Sequence, residues 1–251
     1  MLDVHLETVE KLLVYFIRDT VYKNNFKNGI VGVSGGIDSA VVLALTQRAL
    51  GSEHTFALLM PYKLSSKESL EDGKAICEQL NVGCEIIDIS PSVDAYFERF
   101  PADNKMLIGN KCARERMSVL FDFSARKQAL VVGTSNKSEL LIGYSTLFGD
   151  SAAAFLPLGD LYKTQVFALA RYLDIPGNIV NKKPTADLWK DQTDEGEIGM
   201  SYMHIDAILR YLYDKEPLRA DIDVTDEQIG MIARRVRDNM YKEQIPFYPH
   251  G

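Results

Sequence analysis

The run Gly32-Val33-Ser34-Gly35-Gly36-Ile37-Asp38-Ser39 combines the residue types that a phosphate site needs. Glycines at a strand-to-helix turn let backbone N–H groups converge on one anion, and the helix N-terminus behind them adds partial positive charge. Ser34 and Ser39 each bring a hydroxyl that can donate to the same anion. No G-x-x-x-x-G-K-[ST] run occurs, so this is not a Walker loop. Gly32, Gly35 and Gly36 are also out of register for the dinucleotide G-x-G-x-x-G turn. The competing account is structural: a glycine-rich turn whose acid, Asp38, complements a helix dipole.

Such a loop needs a strand before it and a helix behind it. Ile30 to Val33 supplies the apolar run, and Ser39 to Leu50 the helical one. Further strands are expected at Thr55–Met60, where Pro61 stops the run, at Cys84–Ile89 and at Ala129–Gly133. Helices are expected from a Ser65/Glu68 capping box to about Gln79, from Ser90-Pro91 onward, and over roughly 105–127. Strands alternating with helices at this spacing predict an α/β fold, a doubly wound, mostly parallel sheet flanked by helices. Ahead of it, Leu6, Val9, Leu12, Leu13, Phe16, Ile17 and Val21 fall on one helical stripe over residues 3–22. Beyond Gly149 the character changes, with loops around Gly149–Leu158 and Asn178–Gly199 flanking an amphipathic helix, Lys163–Leu173. Two more helices are expected near 201–213 and 226–242, the second opened by a Thr225/Gln228 capping box. The expected organisation is one domain over 1–251, with a core at about 26–175 and a loop and helical appendage at 176–251.

Composition excludes several classes. Apolar residues make up 46% and charged residues 25% of the 251, the range of an ordinary globular chain. A net charge of −7 lacks the basic face a nucleic-acid partner requires, whereas a nucleotide site needs only a few local cations. No apolar run approaches the roughly 18 residues of a membrane span. The start, MLDVHLETVEKLL, has no signal-peptide pattern, so no membrane partner and a cytoplasmic location are expected. Cys77, Cys84 and Cys112 form no C-x-x-C pair, as suits a reducing compartment. His5, His54, His204 and His250 are scattered, so no histidine-based metal site is legible.

SGGIDS resembles the pyrophosphate loop of the N-type ATP pyrophosphatases, which have the adenine nucleotide alpha hydrolase-like fold. That resemblance implies a loop gripping the β- and γ-phosphates of ATP, with Asp38 helping to hold Mg2+. Four further segments are similar to the ammonia-dependent NAD synthetases: Lys111 to Met117, Gly133 to Glu139, Leu147 to Asp150 with Leu156-Pro157-Leu158, and Lys183 to Leu188. The acidic run Asp194 to Gly199 also fits, and the resemblance spans roughly residues 26–245. It implies that ATP adenylates the nicotinate carboxylate of deamido-NAD and that ammonia then displaces AMP to give NAD. It also implies a homodimer. By the same resemblance Asp38 and Glu139 are the metal carboxylates, and Asp38 and Lys163 are catalytic. Gly32 to Ser39, Thr134, Lys163 and Thr185 then contact ATP or its departing phosphates, and Arg114 and Lys242 bind deamido-NAD. Tyr241 replaces the histidine usual beside Lys242, and Leu147 and Ala154 stand where many relatives bind deamido-NAD with a lysine and an aspartate.

Each role has a plainer rival. Glu139 completes a capping box with Asn136, Thr185 is suited to N-capping, and Arg114 and Arg116 suit an exposed helix face. Asp194, Glu195 and Glu197 read as a solvated acidic loop, and Cys112 as a packed thiol. Lys163 is different, because a cation is disfavoured at a helix N-terminus and a phosphate partner explains its placement. The N-terminal stripe suits either a dimer interface or packing on its own sheet. Another amide-forming relative, such as a GMP synthetase, and a silent nucleotide-binding module remain the alternative readings. Free ammonia, not glutamine, is the expected nitrogen donor, since no cysteine here carries the surroundings of a glutaminase.

Overall fold

The computed structural model describes residues 5–185, 193–218 and 220–242. Helix α1 (Leu6–Lys23) precedes strand β1 (Asn28–Gly32), helix α2 (Ile37–Leu50), strand β2 (Thr55–Leu59) and helix α3 (Lys67–Gln79). Strand β3 (Cys84–Ile86), helices α4 (Ser90–Arg99) and α5 (Lys105–Lys127), and strand β4 (Ala129–Val131) follow. The strands form one parallel sheet in the order β3-β2-β1-β4, with Ile30 between Phe56 and Val131. The chain continues through α6 (Lys137–Leu141), α7 (Lys163–Tyr172), α8 (Gly177–Val180), α9 (Asp194–Ile198), α10 (Tyr202–Leu209) and α11 (Asp226–Asn239).

Alternation along the strands divides the core between the two faces of the sheet. Val31, Val33, Ala57 and Leu59 join α1, α2, α3 and α7 on one face. Ile30, Leu58, Ala129 and Val131 join α4 and α5 on the other. The α2 segment Ala40 to Leu45 is fully buried, because the helix is clamped between the sheet and the pair α1 and α7. A helix buried all round must be apolar all round, which is how AVVLAL reads. Ile142, Tyr162, Tyr202, Ile205, Ile208, Ile232 and Val236 form a third apolar cluster under α6, α10 and α11. No helix among the described residues is long and apolar enough to cross a membrane.

The elements depart from expectation in instructive places. The cap of α3 is Ser66, whose side chain accepts from Ser69 N at 3.0 Å, and not Ser65. Ser65 Oγ is already committed to Tyr62 N (3.2 Å). β3 ends at Ile86 instead of Ile89, since its neighbour β2 runs into Pro61, which has no N–H for a ladder. β4 is likewise shorter than expected, although Val132 adds one parallel bridge to Phe155. In α1, Ile17 and Val21 are buried and Leu6, Val9 and Leu13 pack on the same core, so the stripe serves its own fold. Leu12 and Phe16, expected in that stripe, are exposed.

Candidate active site

A cavity of about 490 Å³ opens at the carboxyl ends of β1, β2 and β4. That is where an open parallel sheet leaves room for a ligand between diverging loops. Gly32 to Ser39 form its floor, and Thr134, Glu139, Lys163, Thr185 and Lys242 also line it. Thus thirteen of the fourteen sequence-derived site residues come together, across the whole length of the chain; Arg114 is the exception. Ala186 to Leu188, the rest of the motif that begins at Lys183, lie outside the described residues.

The loop is held by hydrogen bonds among its own residues. Ser34 N donates to Ser39 Oγ (3.2 Å), Gly36 N donates to Ser34 Oγ (3.2 Å), and Ser39 Oγ donates to Gly36 O (3.0 Å). Helix α2 starts at Ile37, two residues earlier than the periodicity implies, so Asp38 and Ser39 lie in its first turn.

Around Asp38 three elements converge. Lys163, the first residue of α7, donates through Nζ to Asp38 Oδ2 (2.5 Å) and to Glu139 Oε1 (2.8 Å). Asn136 Nδ2 donates to the other Asp38 oxygen at 2.8 Å. Glu139 also completes the capping box of α6, accepting from Asn136 N while its own N–H goes to Asn136 Oδ1. Glu139 therefore caps α6 through Oε2 while Oε1 accepts from Lys163. Lys163 is only 2% exposed, and its ammonium lies 5.2 Å from the centre of the Tyr202 ring. Burial opposes its charge, but Asp38 and Glu139 outweigh that and raise its pKa well above the ordinary lysine range. Burial raises the Glu139 carboxyl to about 7; Lys163 pulls it down and the Asp38 charge pushes it up. A divalent cation brought in with phosphate would favour the ionised form of Glu139, which burial otherwise disfavours. No three His, Cys, Asp or Glu side chains among the described residues converge to hold a metal by themselves. A hard cation sharing Asp38 and Glu139 with phosphate oxygens fits this donor set.

The remaining expected residues divide. Lys242 donates to the carbonyls of Gly143 (2.7 Å) and Ser145 (3.0 Å), with its pKa lowered by burial. Arg114 does not line the cavity; its Nε donates to Leu147 O (3.2 Å) on the exposed side of α5. Arg116 is the α5 arginine that does, with Nε on Met60 O at 2.9 Å. The acidic run is not simply solvated. Asp194 is 4% exposed, its Oδ2 accepts from Tyr202 OH (3.2 Å), and its Oδ1 has no hydrogen-bond partner among the described residues. Glu195 accepts from Tyr202 N, and Glu197 from Tyr144 OH. Cys112 is buried among Tyr62, Ile89 and Val93, and burial pushes its thiol pKa up, as befits a packed thiol. Tyr202 lies against the Lys163 ammonium with no signature in the sequence that singles it out, and Asn136 is legible there only as the cap of α6.

A parallel sheet ending in a glycine loop closed by its own hydrogen bonds, beside a lysine held between two carboxylates, defines a nucleotide-binding α/β protein. Comparison with known proteins narrows the class. The family model for NAD synthase matches residues 9–246, and the chain belongs to that family. It is 44% identical over 248 residues to an NH(3)-dependent NAD(+) synthetase of Fusobacterium nucleatum, covering 98% of this chain and 96% of the relative. The solved NH3-dependent NAD synthetase of Campylobacter jejuni, in complex with the nitrate ion, superposes with a TM-score of 0.83 at 37% identity. The solved NMN synthetase of Francisella tularensis superposes with a TM-score of 0.88 at 32% identity. Each superposition covers 98% of this chain and 99% of the other.

Proposed function

We propose that this chain converts the nicotinate carboxylate of deamido-NAD to the amide of NAD, using ATP and ammonia and releasing AMP and pyrophosphate. One catalytic unit over 1–251 carries the reaction. The observation that carries the reading is the junction of Asp38, Glu139 and Lys163 at the mouth of the Gly32–Ser39 loop. Backbone N–H groups of that loop and the α2 N-terminus hold the β- and γ-phosphates, which become the leaving pyrophosphate. A substrate carboxylate oxygen attacks the α-phosphorus, the bond to the β-phosphate oxygen breaks, and an acyl-adenylate results. Ammonia then attacks the acyl carbon, AMP leaves and a proton is lost. Lys163 supplies fixed positive charge against the oxygens that gain charge in the first step, with no reorganisation at that moment. Magnesium, held by Asp38 and Glu139, would neutralise further phosphate charge. Thr134 and Thr185 offer hydroxyls to ATP and Lys242 serves the dinucleotide, whereas Arg114, outside the cavity, would meet only a part of the dinucleotide that extends beyond it.

A second reading is favoured by the similarity to the solved NMN synthetase: the same chemistry on the mononucleotide. One experiment covers both. The purified chain is incubated with ATP, Mg2+ and ammonium and with either deamido-NAD or nicotinate mononucleotide. NAD and AMP should form in the first mixture at higher kcat/KM than NMN and AMP in the second. Preference for the mononucleotide would replace the first reading by the second, and ADP with inorganic phosphate as coupled products would sink both. Ammonia-free glutamine should not substitute for ammonium, because burial holds Cys77 and Cys112 as thiols rather than nucleophilic thiolates and the exposed Cys84 does not line the cavity.

We extend the proposal to a homodimer. α4 and the start of α5 expose Tyr96, Phe100, Met106 and Leu107, and Met106 also lines the cavity, so a second copy docked there would adjoin the site. Sedimentation at working concentration should give twice the chain mass. A fully active monomer would exclude the dimer.

A further inference from the structure

Helix α7 has an unusual beginning. It opens with Lys163, a cation in the turn where the helix dipole disfavours one; Tyr162 ahead of it gives its N–H to Gln165 Oε1 (2.9 Å), but its own hydroxyl goes to Asp214 and caps nothing in α7. The first backbone N–H groups of a helix have no partner within it and need one from elsewhere. Two of them reach other helices. Lys163 N donates to Ser138 Oγ on α6 (2.9 Å), and Thr164 N donates to Asp206 Oδ2 on α10 (2.8 Å). Ser138 closes the triangle by donating its hydroxyl proton to Asp206 Oδ1 (2.5 Å). Ser138 is fully buried and Asp206 is 2% exposed, beside Ile205, Ile208 and Leu209 on a largely apolar helix. Burial raises the Asp206 carboxyl, and the bonds from Ser138 and Thr164 pull it back down.

The triangle ties together the helices that carry Lys163 and Glu139, since Ser138 precedes Glu139. It also puts an acceptor pair at the positive end of α7, which offsets what the lysine ammonium loses there. We infer that Asp206 is a positioning residue for Lys163, holding the start of α7 so that the ammonium meets Asp38 and Glu139 together. The inference rests on the reading that Lys163 acts on ATP. Asp206 does not itself line the cavity and makes no hydrogen bond to the ammonium; it acts through Thr164 N directly and through Ser138, which accepts from Lys163 N.

The test uses the full chain and the variants D206N, S138A and K163M, with AMP formation as the readout and circular dichroism and thermal midpoint as the check on folding. D206N keeps the side-chain size but turns one acceptor into a donor, which cannot face the Thr164 N–H or the Ser138 hydroxyl as now oriented. Its kcat at saturating substrates should fall at least tenfold, with KM for ATP and for deamido-NAD within threefold of the parent. S138A, which removes only the relay hydroxyl, should lose at least threefold in kcat. In the K163M background, residual AMP formation measured with excess enzyme should change less than twofold on adding D206N. A merely structural role would cost the same factor in both backgrounds. Equal factors, or a folded D206N with kcat within twofold of the parent, would overturn the inference. If D206N does not fold, S138A decides, and parent-like kcat in that variant overturns it. A parent chain that forms no AMP sinks the functional reading and this inference together, whereas an active parent with an indifferent D206N sinks this inference alone.

Discussion

Replacing Lys163 by methionine should lower the rate of AMP formation by about 10²–10³-fold at saturating substrates, the usual loss when one preorganised electrostatic donor is removed. That corresponds to about 3–4 kcal/mol of transition-state stabilisation. Methionine approximates the length of the lysine stem and can fill much of its space, so the packing against Tyr202 should largely survive. What disappears is the one ammonium that both Asp38 and Glu139 touch. Their charges then face each other in a site that is largely closed to water, with side-chain exposures of 17% and 16%. Removing one partner of a buried ion pair commonly costs about 3–5 kcal/mol of stability, so the thermal midpoint should fall as well. Arginine at the same position keeps the charge but brings a larger planar head into a 2%-exposed slot, so it should rescue only part of the rate. Single-turnover AMP formation by folded K163M within tenfold of the parent would show that Lys163 is a structural counter-ion and nothing more.

The same cluster shows how far the amino-acid sequence carries an interpretation. Gly32 to Ser39 is legible because each residue type there answers a local demand, and the hydrogen bonds within the loop join residues no more than five apart. α5 matches its expected bounds, Lys105–Lys127, because a 23-residue helix averages over many turns. The short helices α6, α8 and α9 span four or five residues, too few for a period to appear. Asp206 is invisible for another reason. Its partners Ser138 and Thr164 lie 68 and 42 residues away, and only the packed fold turns an acid in an apolar helix into a cap. Asp194 is similar, since its burial depends on Tyr202 closing over it. The choice between Arg114 and Arg116 is also beyond the sequence. Two residues apart on a helix they point in different directions, and the sequence does not say which direction the cavity occupies.

Exchanging Gly35 for alanine should be as damaging as losing Lys163, by an unrelated route. Gly35 sits at φ +78°, a left-handed conformation costing an L-residue about 1–2 kcal/mol. The larger obstacle is space. A Cβ at this position would lie 2.0 Å from the Ser69 carbonyl oxygen, 2.8 Å from its carbon and 3.0 Å from its Cα. These are backbone atoms in the first turn of α3, where Ser69 N is held by the Ser66 cap and Ser69 Oγ accepts from Lys182. Since α3 is pinned from two sides, the loop must yield. A shift of about 1 Å in groups that position a reacting substrate can cost about 10²-fold in rate. We therefore expect kcat/KM for ATP to fall at least that far, with the fold retained because the sheet and α2 are untouched. Gly36 is the internal control. Its φ is −95°, and a Cβ there would meet only Ser34 Oγ, at 3.2 Å, a side chain able to turn aside. Gly36→Ala should therefore lose only a few-fold, although it lies one residue along the same loop. Steady-state kinetics with varied ATP, at saturating ammonium and deamido-NAD, separates the two. A folded Gly35→Ala enzyme with kcat/KM within fivefold of the parent, or equal losses in both variants, would mean that the close approach of the loop to α3 does not set the geometry of the phosphate site.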